Sequence, residues 1–235
     1  MSLTNKAEIT CENCNLDSLC IPKGLQPADI VELGVLVNRN NLRQKGETIY
    51  HAGSPFRGVI ALRSGSAKLV NIDKNGVEFI VAFILPGELL GFDGVATQIH
   101  NCTAVALETV NFCHLAPVQV ELLAHKSPTL SHVLFQRSCD QFDSQVLRAI
   151  LARRAAEDRV AHFILDVSDR LKARGYSELE FRLSMSREEI GNHLGIALET
   201  VSRIINHFQT LKMIEVKAKH LKIIDKKKLL SYCAD

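Results

Sequence analysis

The chain has 235 residues, 46% of them hydrophobic and 23% charged, with a formal net charge of +2; that is enough length for one large or two small domains around a packed core. No stretch approaches the roughly 18 consecutive apolar residues of a membrane helix, and the first residues, with one lysine and no apolar block, do not read as a secretory leader. A soluble cytoplasmic protein with reduced thiols is therefore expected, and its seven cysteines call for metal ligation or burial, not disulfides.

Residues 1–22 read as a cysteine-rich arm. Cys11, Cys14 and Cys20 form C-x2-C-x5-C, one thiol short of a closed site, and Cys113, Cys102 and Cys139 are candidates for the fourth ligand. Four thiolates suit either zinc or an iron-sulfur cluster. Zinc sites often show two C-x2-C pairs and this chain has one, which favours a cluster without deciding it. Leu16, Leu19 and Ile21 are apolar, and no Lys or Arg stands between the arm's cysteines, as a shielded cluster requires. Those of Cys102, Cys139 and Cys233 that are not ligands read as buried or incidental.

Residues 23–126 break into short β-rich runs separated by turn signals at 63–65, 73–76 and 86–87, the rhythm of a β-roll or jelly roll. At Ser127-Pro128 the pattern changes: neither Gly nor Pro occurs again until Gly175, and apolar residues recur at helical spacing. One long helix is predicted, with residues 127–155 as the dimerisation segment and Leu134, Ser138, Phe142, Val146 and Ala149 on the pairing face. A further helix is predicted from Ala156 to Arg174.

Residues 156–235 form the predicted DNA-binding domain, and 17 basic against 12 acidic side chains lie in residues 148–235, compared with 11 against 14 before them. That excess points to a phosphate-bearing partner. Ser186 and Glu189 make a capping box. Gly191, Leu194, Gly195, Val201 and Ile204 stand where a helix-turn-helix needs a small residue at the crossing, a glycine in the turn and apolar locks. Val201, Ile204, Ile205 and Phe208 form a buried stripe on the second helix, leaving Glu199, Ser202 and Arg203 outward. Arg203 can donate to guanine, Glu199 can accept from cytosine, and Ser202 can contact thymine or phosphate. Beyond them, strands around Ile214–Val216 and Leu221–Ile224 suggest a wing whose Lys217 and Lys219 contact phosphates.

Other classes fit less well. A metal enzyme of the cupin type needs clustered His and carboxylate ligands, commonly H-x-H, and none of the nine histidines forms such a pair; an adaptor leaves Glu199, Ser202 and Arg203 without purpose. The order of an α+β chain, β-roll, long dimerisation helix and winged helix-turn-helix resembles the cyclic AMP receptor superfamily. Cys11-x2-Cys14-x5-Cys20-Ile-Pro with Cys113 is similar to its FNR branch, the fumarate and nitrate reduction regulators, as are Gly65, the run 86–93, residues 106–109 and Glu199-Thr200-Val201-Ser202-Arg203. The resemblance implies no enzyme but a cytoplasmic, homodimeric regulator. In it Cys11, Cys14, Cys20 and Cys113 would hold an oxygen-labile four-iron four-sulfur (4Fe-4S) cluster that promotes dimerisation. Glu199, Thr200, Ser202 and Arg203 would read operators of the type TTGAT-N4-ATCAA, and Asp73, Lys74, Asn75, Gly76 and Val77 would contact RNA polymerase. The alternative within the superfamily is structural zinc, or another effector in the β-roll. The cyclic nucleotide branch carries Arg-Ser where this chain has Asn101-Cys102, so no cyclic nucleotide is expected. Leu198 replaces an Arg before the recognition Glu, consistent with a different operator.

Overall fold

The computed structural model describes residues 10–233; residues 1–9 of the arm and the last two residues of the DNA-binding domain lie outside them. Turns over 11–24 lead into α1 (Pro27–Leu36). Eight strands follow: β1 (Asn38–Arg43), β2 (Thr48–Tyr50), β3 (Val59–Ser64), β4 (Ala67–Ile72), β5 (Glu78–Ile84), β6 (Leu89–Leu90), β7 (Thr103–Ala106) and β8 (Val110–Leu115). They pair as two four-stranded antiparallel sheets, β1-β8-β3-β6 and β2-β7-β4-β5. The inner faces meet over Ile60, Leu62, Ala67, Ile84, Leu90, Ala106, Val110 and Phe112, as the period-two pattern requires. Gly65 turns β3 into β4 at φ +76°, where a Cβ would stand 2.4 Å from the Thr109 carbonyl oxygen, so both backbone and neighbour demand glycine.

After α2 (Pro117–Lys126), Ser127 caps α3 (Pro128–Leu151), its Oγ accepting from the Leu130 N–H at 3.3 Å. The helix is shorter than its periodicity suggests. It spans about 36 Å at 1.5 Å per residue, and a turn over 152–155 separates it from α4 (Ala156–Ala173). No Gly or Pro marks the break, but Glu157 and Asp158 in the first turn of α4 favour a new N-terminus.

The N-terminal half of α3 buries Leu130 and Val133 against Ile21, Leu33, Val59 and Leu115, so the end of the arm belongs to a core. Leu134, expected on the pairing face, packs against this core. Its neighbour Phe135 points outward instead, with Phe142, Val146 and Ile150, while Ala149 is exposed and Ser138 donates back to the Leu134 carbonyl at 3.0 Å.

The C-terminal domain comprises β9 (Glu180–Arg182), α5 (Arg187–Leu194), α6 (Leu198–Thr210), β10 (Ile214–Lys217), β11 (His220–Ile223) and α7 (Lys226–Ser231). The wing turn is tighter than expected, since the strands reach Lys217 and His220, and β9 adds an unanticipated third strand, in the order β10-β11-β9.

Val160, Ile164, Val201, Ile204, Phe208 and Leu221 form a core that also takes in Val70, Ile80, Phe83 and Leu107 of the β-roll. The two domains thus share one apolar cluster. At the join, the rings of Phe83 and His193 lie 4.9 Å apart and those of Phe83 and Phe163 6.0 Å apart. Burial pulls the His193 pKa down to about 4, a shift that the Ile80 carbonyl opposes and the nearby Arg148 and Arg170 reinforce, with Asp166 opposing. The folded pKa lies below the unfolded one, so neutral His193 contributes its full stability above pH 6.5 and loses it as pH falls toward about 4. Urea midpoints are expected to decline over that window, and to decline less in His193→Gln.

Candidate functional site

Two surfaces bear on function. The first is the helix-turn-helix. Ser186 Oγ accepts from the Glu189 N–H at 3.1 Å while Glu189 Oε2 accepts from the Ser186 N–H at 2.7 Å, completing the capping box. Gly195 ends α5 at φ +65°. A Cβ on Gly191 would lie 2.7 Å from the Ile196 carbonyl oxygen and 3.3 Å from Val201 Cγ2, so only glycine allows α5 and α6 this close.

Val201, Ile204, Ile205 and Phe208 are buried on α6, while Glu199 and Arg203 are exposed and Thr200 and Ser202 half-buried. The reading face is therefore open to a DNA groove. Arg187, which the sequence did not single out, begins α5 with its Nη1 3.5 Å from Ser202 Oγ, placing another cation beside that face. Lys217 is exposed and paired with Glu215 at 2.7 Å, a solvated pair that a phosphate can replace. Lys219 differs from expectation: its Nζ donates to the Ser184 carbonyl. It ties the wing to the segment before α5 instead of standing free.

The second surface is a pocket. Cys11, Cys14 and Cys20 of the arm and Cys113 of β8 line one cavity of about 580 Å³, open mouth included, together with Leu16, Ile21, Val59 and Leu115. Residues more than 90 apart in sequence are thereby brought together. Burial pushes the Cys20 thiol up to about 12, and raises Cys11 and Cys113 as well. Arg39 opposes the shift at Cys11 through a hydrogen bond, and Arg63 opposes it at Cys113 through its charge. Both arginines line the pocket. They come from β1 and β3, so no local sequence signal links them to the cysteines.

Among the described residues, no group of three His, Cys, Asp or Glu side chains is placed to hold a single metal ion. The thiols surround a space. Four soft donors, apolar walls and two flanking cations fit a polynuclear, net anionic group better than one bare ion. Of the other cysteines, Cys139 is exposed and Cys102 and Cys233 half-buried, so none is fully buried, and neither Cys102 nor Cys139 lines this pocket.

Within the β-roll, the Asn101 and Cys102 N–H groups donate to Asp93 Oδ2 at 2.9 and 3.0 Å. Tyr50 Oη donates to Asp93 Oδ1 at 3.2 Å and stacks on buried His100 at 3.9 Å. A carboxylate of the chain itself thus uses the backbone donors of the stretch where a cyclic phosphate would need a guanidinium. The loop 73–77 between β4 and β5 is built on Asp73, whose Oδ1 accepts from the N–H groups of Asn75 and Val77 at 2.8 and 2.9 Å. Among the described residues, no helix is long and apolar enough to cross a membrane.

Comparisons with known proteins agree with this division. A cyclic nucleotide-binding domain model matches residues 43–127 and a Crp-like helix-turn-helix domain model matches residues 158–232. The chain is 38% identical over 216 residues to the transcriptional activator protein FnrA of Stutzerimonas stutzeri, covering 92% of this chain and 88% of that one. It is 35% identical over 223 residues to the fumarate and nitrate reduction regulatory protein of Vibrio cholerae, covering 94% and 89%. In fold it is similar to FixK2 from Bradyrhizobium japonicum, with a TM-score of 0.78 and 24% identity over 84% of this chain and 98% of that one. With its β-roll, long helix and open recognition helix, the chain belongs to the FNR branch of the cyclic AMP receptor/FNR superfamily of DNA-binding transcription regulators, which are not enzymes.

Proposed function

We propose that this protein is a homodimeric regulator of anaerobic gene expression, acting in the cytoplasm, in which Cys11, Cys14, Cys20 and Cys113 hold a 4Fe-4S cluster. The observation that carries the reading is the convergence of these four thiols, three from the arm and one from β8, on one apolar pocket flanked by Arg39 and Arg63. When bound, such a cluster supplies an oxygen-labile tie between arm and β-roll. The chain's own residues carry the consequence onward. Ile21 packs with Leu130 and Val133 of α3, and Arg137 of α3 donates to the Cys20 carbonyl at 3.2 Å. The arm therefore steadies the helix whose outer face bears Phe135 and Phe142, and pairing of two such helices sets two α6 helices against inverted half-sites about 34 Å apart.

Operators of the type TTGAT-N4-ATCAA suit the exposed Glu199 and Arg203, with Lys217 on a flanking phosphate. The exposed loop 73–77, beside the exposed Ile72 and Phe79, is the proposed RNA polymerase contact. Cyclic nucleotide is no part of this reading, because Asp93 meets the donors of Asn101 and Cys102.

The test is iron, acid-labile sulfide and zinc per chain on protein purified without oxygen, with operator titrations before and after air. About four iron and four sulfide are expected, with binding lost as they disappear. One zinc per chain, and binding indifferent to air, would overturn the cluster. Separately, Arg203→Ala is expected to lose about 1–3 kcal/mol of discrimination at the guanine of each half-site, read from binding to a base-substituted operator series.

A further inference from the structure

The first helix of the helix-turn-helix is seated on an open sheet edge. β5 is the outer strand of its sheet, so its outward N–H and C=O groups need partners other than a neighbouring strand. Two consecutive side chains of α5 provide them. Asn192 Oδ1 accepts from the Ile80 N–H at 2.6 Å, Asn192 Nδ2 donates to the Glu78 carbonyl at 2.7 Å, and His193 Nδ1 stands 3.0 Å from the Ile80 carbonyl oxygen. The carboxamide of Asn192 thus pairs with the edge much as another strand's peptide would.

The other end of α5 is held as well. Lys68 of β4 lies 3.1 Å from Glu78 and 3.2 Å from Glu189, the capping-box carboxylate. Two points of attachment, in the first and last turns, fix the direction of the α5 axis on the β-roll. Because Gly191 locks α6 against α5, the direction of α6 follows. Glu199 and Arg203 stay exposed in this arrangement, so the contact aims the reading face and does not mask it.

We infer that Asn192 is a positioning residue for operator recognition: by seating α5 on the β5 edge it sets the angle of α6, and in a dimer this restricts the half-site spacing that the protein accepts. One base pair of extra spacing displaces a half-site by about 3.4 Å and rotates it around the duplex axis. A rigidly seated α6 cannot follow that change, whereas an α6 released from β5 can. The inference rests on the proposed pairing of two chains on an inverted repeat.

The experiment uses the full-length chain and three duplexes in which TTGAT and ATCAA are separated by three, four or five base pairs. The unsubstituted chain is expected to prefer one spacing by at least about tenfold, and Asn192→Ala to reduce that preference to about threefold or less. Sedimentation should show the dimer unchanged, and amide exchange in the peptide containing Ile80 should accelerate. A preference retained in full while Ile80 exchange accelerates would overturn the inference, as would unaltered Ile80 exchange. If Asn192→Ala binds none of the duplexes, Asn192→Ser, which also removes the carboxamide that pairs with Ile80 and Glu78, is read by the same criteria. Failure of the operator reading is distinguishable, because the unsubstituted chain would then bind none of the three.

Discussion

Phe142→Glu is expected to turn the proposed dimer into a monomer and to weaken binding to a two-half-site operator by about 10²-fold or more. Phe142 is 67% exposed in the single chain, and Phe135 is 68% exposed one heptad before it. Val146 and Ile150 continue the stripe along the same helix, also exposed. A second copy of α3 would cover this face, and a carboxylate there would be buried without a partner. Equilibrium sedimentation and operator titration check the two consequences together. Binding to an isolated half-site should change little, because Glu199 and Arg203 lie on a different helix. An unchanged dimer would place the interface elsewhere.

Glu88→Leu is expected to destabilise the fold by about 3–5 kcal/mol, the range for leaving a buried charge without its partner. Glu88 stands in the turn between β5 and β6, and its two oxygens accept from Arg170 at 2.6 and 3.0 Å and from Arg174 at 2.6 Å. The Arg174 side chain is only 3% exposed. Burial alone would raise the Glu88 carboxyl, but Arg170 foremost, with Arg174, holds it below the ordinary carboxylate range. Without Glu88, the guanidinium of Arg174, just past the end of α4, loses its carboxylate beside that of Arg170, which keeps only Asp166 at 3.0 Å. Urea unfolding gives the magnitude, and Glu88→Leu combined with Arg170→Leu and Arg174→Leu should recover much of the loss, because no buried guanidinium is then left without a carboxylate and Asp166, which loses Arg170, is open to water. Retained stability in the single variant would mean that water enters the site and solvates both arginines.

Local order was legible where the signal itself is local. The capping box at Ser186 and Glu189, the stripe from Val201 to Phe208 and the start of α3 at Ser127-Pro128 depend on residues within a few positions of one another, and the structure has each of them. The end of α3 was legible to within a few residues: a new helix was expected from Ala156, where α4 begins, but apolar spacing through Leu151 gives no sign that the chain already turns over 152–155. The tie of Arg170 and Arg174 to Glu88, more than 80 residues away, is what fixes the direction of α4. Leu134 and Phe135 show the same limit: adjacent residues exchanged roles because the β-roll packs on one side of α3, and spacing along one helix does not say where a neighbouring sheet lies.

The amino-acid sequence by itself determined the order of the elements, the identity of the recognition face and three of the four pocket thiols, because each follows from hydrophobic period, capping chemistry or spacing over a short stretch of chain. Cys113 was joined to them through the family resemblance, and only the tertiary structure decided that Arg39 and Arg63 stand beside the four thiols, that Lys219 turns inward to Ser184, and that Asn192 seats the helix-turn-helix on β5. These are contacts between strands, helices and loops distant in sequence. Their geometry is set by packing two sheets and a shared apolar core, and no local pattern encodes it.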